Sequence, residues 1–152
     1  MDIRLDDPTA PHVGDLLAYH LRDMRGDAEE FSFALDASAL AAPCISFWTI
    51  WDGATLAGFA ALKQLDTRHG EVKSMRVAPG FLGRGIGRAL LDHVIAEAQR
   101  RDYDRISLET GTTAPYQPAV KLYRSASFQS CGAFADYQPS PHNQFFTRDL
   151  AV

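Results

Sequence analysis

The stretch VAPGFLGRGIGRALL, residues Val77 to Leu91, runs from strand-like sequence through a loop holding four glycines straight into an amphipathic helix. Gly80, Gly83, Gly85 and Gly87 lack side chains, so successive backbone N–H groups can turn toward one centre. The N-terminus of the following helix adds its unpaired donors and partial positive charge. Arg84 and Arg88 bring mobile cations to the same place. The expected guest is a phosphate or pyrophosphate.

Spacing excludes two common phosphate binders. A dinucleotide fingerprint G-x-G-x-x-G that starts at Gly83 needs glycine where Arg88 stands, and one that starts at Gly85 needs it where Leu90 stands. A Walker loop framed on Gly80 and Gly85 is followed by Ile86 and Gly87, with no lysine for the terminal phosphates and no hydroxyl for magnesium. A glycine-rich turn that binds nothing is the plain alternative, although turning a chain does not by itself call for alternating glycines with arginines among them.

The 152 residues, 46% hydrophobic and 22% charged, suit one domain spanning 1–152 with a real core. A net charge of -4 argues against a general nucleic-acid binder, which needs a basic face to displace counterions. Charge is uneven: residues 1 to 36 carry nine acidic and three basic side chains, whereas 71 to 105 carry seven basic and five acidic ones. The basic excess surrounds the glycine loop. Cys44 and Cys131 lie far apart behind a polar N-terminus, which predicts idle thiols and a cytoplasmic setting rather than a disulfide framework. No apolar run reaches the roughly 18 residues of a membrane span, and the five histidines show no metal-ligand spacing, so neither membrane nor metal is expected.

Periodicity predicts the elements around the loop. Ile3 and Leu5 suit an opening strand, and Pro11 begins a helix to about Met24, with Val13, Leu16, Leu17, Leu21 and Met24 on one side. A second helix is predicted over 28–40. Ile45 to Trp51 and Thr55 to Leu65 read as a hairpin across Asp52-Gly53, and His69-Gly70 as the turn into a third strand, Glu71 to Val77. Helix 86–101, a strand over 106–110, a short helix to Ala126, and strands over 129–134 and 144–150 follow. An edge strand near the C-terminus admits a homodimer.

This element order, with VAPGFLGRGIGRALL and the later LYRSASF, closely resembles the GNAT superfamily of acetyl-CoA-dependent N-acetyltransferases over nearly the whole chain. EVKSMRV, SLETGT and CGAFADY are similar to one bacterial branch of small-molecule acetyltransferases. The resemblance implies an α/β (α+β) fold: a mixed, mostly antiparallel sheet of about seven strands, flanked by about four helices and splayed where the cofactor binds. It implies acetyl-CoA as cosubstrate. The backbone of Met75, Arg76 and Val77 would pair with the pantetheine arm, and Leu82, Gly83, Arg84, Gly85, Ile86, Gly87 and Arg88 would cradle the pyrophosphate. Three residues depart from the family pattern: Leu82 in place of arginine or glutamine, Tyr116 in place of asparagine, and Ser127 in place of the glycine before Phe128, which predicts a less tightly turned helix end.

The implied reaction is direct attack of an amine on a thioester. It needs a base for the acceptor ammonium, a fixed N–H for the carbonyl oxygen, and an acid for the departing thiolate. The resemblance assigns the N–H to Val77 and the acid to Tyr123, whose other reading is a core aromatic. Glu71 and Glu109 are the candidate bases, on the strands flanking the loop and helix; either could instead be a strand-end carboxylate or, for Glu71, an ion pair with Lys73. On an unbroken strand Glu71, Lys73, Met75 and Val77 share one face, and any bulge reassigns them. His20, Met24 and Lys73 are assigned to the acceptor side, His20 having surface or cap as its plain reading. The expected partner is a small-molecule amine. A non-catalytic acyl-CoA sensor and an enzyme acting on protein N-termini or lysines are the alternatives.

Overall fold

The computed structural model describes residues 1–25 and 35–150. Strand β1 (Asp2–Leu5) leads into helix α1 (Pro11–Arg25), and a one-turn helix α2 (Ala37–Leu40) precedes strands β2 (Ile45–Asp52), β3 (Thr55–Asp66) and β4 (His69–Val77). A 3-10 turn at Pro79–Phe81 and helix α3 (Ile86–Arg100) connect β4 to β5 (Arg105–Gly111). Helix α4 (Gln117–Ser125), β6 (Gln129–Cys131) and β7 (Asn143–Asp149) complete the described chain. The sheet has seven strands in the order β1-β2-β3-β4-β5-β7-β6, antiparallel except where β4 and β5 pair in parallel across the α3 crossover.

Burial on both sheet faces explains the alternation in the strands. On one face Trp48, Ile50, Ala60, Leu62, Val72, Ile106, Leu108 and Phe146 meet the α3 stripe Leu90, Leu91, Val94, Ile95 and Ala98. On the other, Phe47, Phe59 and Ala61 meet Val13 and Leu17 of α1 and Leu40 of α2.

Of the helix predicted over 28–40, residues 28–34 lie outside the described residues and Ala37–Leu40 is helix. Three other expectations change. His69-Gly70 is strand, not turn: the reversal is Thr67-Arg68, closed by the Arg68 N–H donating to the Asp66 carboxylate at 2.7 Å. Gly70 is needed because a Cβ there would stand 2.7 Å from the Tyr103 ring. Strand β6 stops at Cys131, and Phe134 turns instead onto Phe145 and Tyr137. The end of α4 is tightly closed despite Ser127. The Phe128 N–H reaches the Tyr123 carbonyl and the Ser127 N–H the Arg124 carbonyl, both at 3.1 Å, with Ser127 in the left-handed region at φ 70.

Candidate functional site

The glycine loop folds as an open row of donors. Gly83 at φ 73 and Gly85 at φ 79 are both left-handed, which is why glycine is required there. A Cβ added at Gly80, Gly83 or Gly85 would meet no atom within 4 Å, so the bared backbone faces open space. Within the described residues, no backbone or side-chain acceptor takes the amides from Leu82 to Arg88. Ala89 is the first whose N–H turns back, to the Gly85 carbonyl at 3.0 Å. Arg84 lies over the Phe81 ring and 3.4 Å from Asp52, while Arg88 bonds Asp92 at 2.9 Å; both guanidinium groups are about half exposed at the loop mouth. Gly87 serves packing instead, since a Cβ there would stand 3.3 Å from Leu122. Leu82 is 68% exposed.

Beside the loop, the sheet opens. β4 and β5 pair only at His69↔Arg105, Gly70↔Ile106 and Glu71↔Ser107, and beyond Glu71 the two strands diverge. The Ala78 N–H donates to Ala57 of β3, so by antiparallel alternation the Val77 N–H points to the unpaired edge.

The strand is not unbroken. Register passes from Phe59↔Arg76 to Ala61↔Lys73, and Ser74 bulges at φ 45 with its hydroxyl buried and without a partner among the described residues. The expected common face of Glu71, Lys73, Met75 and Val77 is therefore split. Met75 and Val77 join Val72 against the α3 core, while Glu71, Lys73 and Arg76 face the α1 side. The bulge thus gathers three charged side chains on one side of the opened edge.

Glu71, 2% exposed, accepts a hydrogen bond from the Tyr137 hydroxyl at 2.5 Å and pairs with Lys73 at 3.4 Å; Lys73 Nζ donates to the same hydroxyl at 2.7 Å. Glu109 on β5 is raised to about 7, first by burial, with Lys73 lowering it and Glu71 raising it. Tyr123 on α4, packed on Phe128 and Phe146, is pushed up to about 12 by burial and then by the Glu109 charge. Tyr116 is raised too, first by burial and then by the Glu109 charge. Its ring lies over Gly111, where a Cβ would be 2.3 Å away. Glu109 thus feels the charges of Lys73 and Glu71, and its own charge raises the phenols of Tyr116, Tyr123 and Tyr137.

His20 is buried rather than at the surface or a cap, on the α1 stripe formed by Val13, Leu17 and His20, with Met24 half-buried one turn on. Its Nδ1 accepts from Arg76 Nε at 2.9 Å, which leaves the ring hydrogen on Nε2. Burial and the Arg76 charge push its pKa down to about 3, so it stays neutral. Arg76 also bonds Asp23 at 2.8 Å and lies over Tyr19, so its side chain points away from the glycine loop and only its backbone borders the opened edge. Sequence reasoning missed Tyr137, because no periodic element carries it; the only signal was its place in the CGAFADY segment.

The model of the acetyltransferase (GNAT) family matches residues 13–128. The chain belongs to the GNAT acetyltransferase family. It is similar to the N-acetyltransferase YsnE of Bacillus subtilis (strain 168), 46% identical over 99% of this chain and 100% of that protein. It is also similar to the N-acetyltransferase YedL of Escherichia coli (strain K12), 45% identical over 97% of this chain and 94% of that one. A GNAT family acetyltransferase from Elizabethkingia anophelis, solved with acetyl-CoA bound, shares the fold at a TM-score of 0.72 and 20% identity, over 98% of this chain and 97% of that one. The mixed seven-stranded sheet with flanking helices is the GNAT architecture. No described helix is long and apolar enough to cross a membrane.

Proposed function

We propose that this GNAT enzyme moves the acetyl group of acetyl-CoA to a primary amine of a small molecule by direct attack. The observation that carries the reading is the run of unanswered amides from Leu82 to Arg88 beside the open edge of β4. Those amides, with Arg84 and Arg88, suit a diphosphate in number, direction and charge. Met75 to Val77 offer the pantetheine arm a free strand edge. Acetyl-CoA supplies an acyl group activated as a thioester.

The protein's own groups then divide the work. The Val77 N–H faces the open edge, where it can stabilise charge on the carbonyl oxygen. Glu109, poised at about 7, is partly ionised at neutral pH yet basic enough to take the ammonium proton. Glu71, held by Tyr137 and Lys73, is less free to do so. Tyr123 remains protonated and donates to the departing thiolate. Once Glu109 has taken a proton its charge no longer holds the phenol up, so the acid strengthens at the stage that needs it.

The test is a thermal-shift titration with acetyl-CoA and CoA, followed by a screen of small amines and N-terminal peptides that detects free thiol. At a hundredfold excess over Kd, stabilisation of about 2.7 kcal/mol is expected, with thiol released by small amines. Stabilisation without thiol release supports an acyl-CoA sensor, and release only with peptides supports a protein acetyltransferase.

A further inference from the structure

We propose that Tyr137, in the segment joining β6 and β7, is a positioning residue for acetyl transfer: its hydroxyl bridges Glu71 and Lys73 and fixes where their charges stand relative to Glu109. The inference rests on Glu109 being the base. Tyr137 donates to Glu71 at 2.5 Å and accepts from Lys73 at 2.7 Å, while Lys73 Nζ also lies 5.3 Å from the centre of its ring. The ring is clamped between Phe134 at 5.2 Å and Phe145 at 5.7 Å, so the hydroxyl is delivered by a rigid aromatic wall rather than a mobile loop tip.

With the hydroxyl between them, the Lys73–Glu71 separation is 3.4 Å. Direct charge-assisted contact closes to about 2.8 Å. Without the hydroxyl, Lys73 settles onto Glu71, and its charge stabilises the ionised Glu109 less. Glu109 is acted on by Glu71 and Lys73 from β4 and raises the phenols of Tyr116, Tyr123 and Tyr137 in turn; β7 presents uncharged Phe145 opposite it.

The experiment compares wild type, Tyr137→Phe, Lys73→Met and the double variant in two readouts: carbon NMR titration of the Glu109 carboxyl without substrate, and the acid limb of kcat/KM against pH. Tyr137→Phe keeps the ring packing and is expected to raise both midpoints by about half a pH unit relative to wild type under the same conditions. Lys73→Met raises them as well, and the double variant moves no further than Lys73→Met, because Tyr137 acts through Lys73. An unmoved Glu109 titration in Tyr137→Phe, or additive shifts in the double variant, overturns the proposal. If the carboxyl titration moves while the kinetic limb stays, Tyr137 does position these charges and Glu109 is not the base. Should Tyr137→Phe fail to fold, Lys73→Met carries the test: an unmoved or lowered Glu109 midpoint there overturns the proposal equally.

Discussion

Replacing Glu109 with glutamine should make the protein more stable and less active, with the gain in stability growing from about pH 4.5 and complete above about pH 7. Glu109 titrates at about 7 in the folded protein against an ordinary 4.5, chiefly because burial disfavours its charge. Below 4.5 the carboxyl is protonated in both folded and unfolded chains and costs nothing. Between 4.5 and 7 the unfolded chain ionises while the folded one keeps its proton, so stability falls as pH rises; above 7 the loss is complete. That span corresponds to about 3 kcal/mol. A neutral amide has no such dependence. The gain from Glu109→Gln should therefore be near zero at pH 4.5 and reach about 3 kcal/mol by pH 8, roughly 6 to 12 °C in Tm for a chain of this size. Urea unfolding at pH 4.5, 6 and 8 measures it, and acetyl transfer at pH 8 should fall by at least about a hundredfold. A stability difference that does not change with pH would refute the burial argument, and unimpaired turnover would remove Glu109 as base.

Three further outcomes test other parts of the account. Tyr123→Phe should lower kcat by about a hundredfold while acetyl-CoA affinity by calorimetry is unchanged; weakened binding would place the phenol in the cofactor site instead. Ser127→Gly should stabilise the protein by about 1 kcal/mol, since Ser127 holds φ 70 at the closed end of α4, and chemical denaturation reads the gain. Gly70→Ala should cost about 1 to 3 kcal/mol, because the added methyl meets the Tyr103 ring at 2.7 Å and Leu62 at 3.0 Å; a loss of a few tenths would mean the Tyr103 ring yields and does not exclude a side chain there.

What the sequence made legible was local. Gly83 and Gly85 carry positive φ, and the stripe of α3 is buried residue by residue, because glycine permissiveness and helical period are properties of short segments. The opened edge after Glu71 followed from the family resemblance rather than from any residue pattern. What stayed hidden depends on partners distant in the chain. Nothing in EVKSMRV marks Ser74 as a bulge, yet that residue divides the side chains of β4 between two faces. Gly70 looked like a turn glycine because the ring that excludes a side chain there belongs to Tyr103. His20 read as an acceptor contact with surface or cap as its alternative, although the spacing of Val13, Leu17 and His20 already placed it on the buried stripe; its pairing with Arg76 is not visible in helix periodicity. Tyr137 lies in an irregular segment, so only the folded chain brings it to Glu71 and Lys73.

The most direct test of the central claim is an amide proton–nitrogen NMR titration of the protein with CoA and, separately, with pantetheine, which lacks the diphosphate. CoA should saturate with large shifts at the amides from Leu82 to Arg88, and pantetheine should leave those amides in place while moving Met75 to Val77. Equal shifts with both ligands, or none at Leu82 to Arg88 with CoA, would contradict the claim that this loop holds the diphosphate.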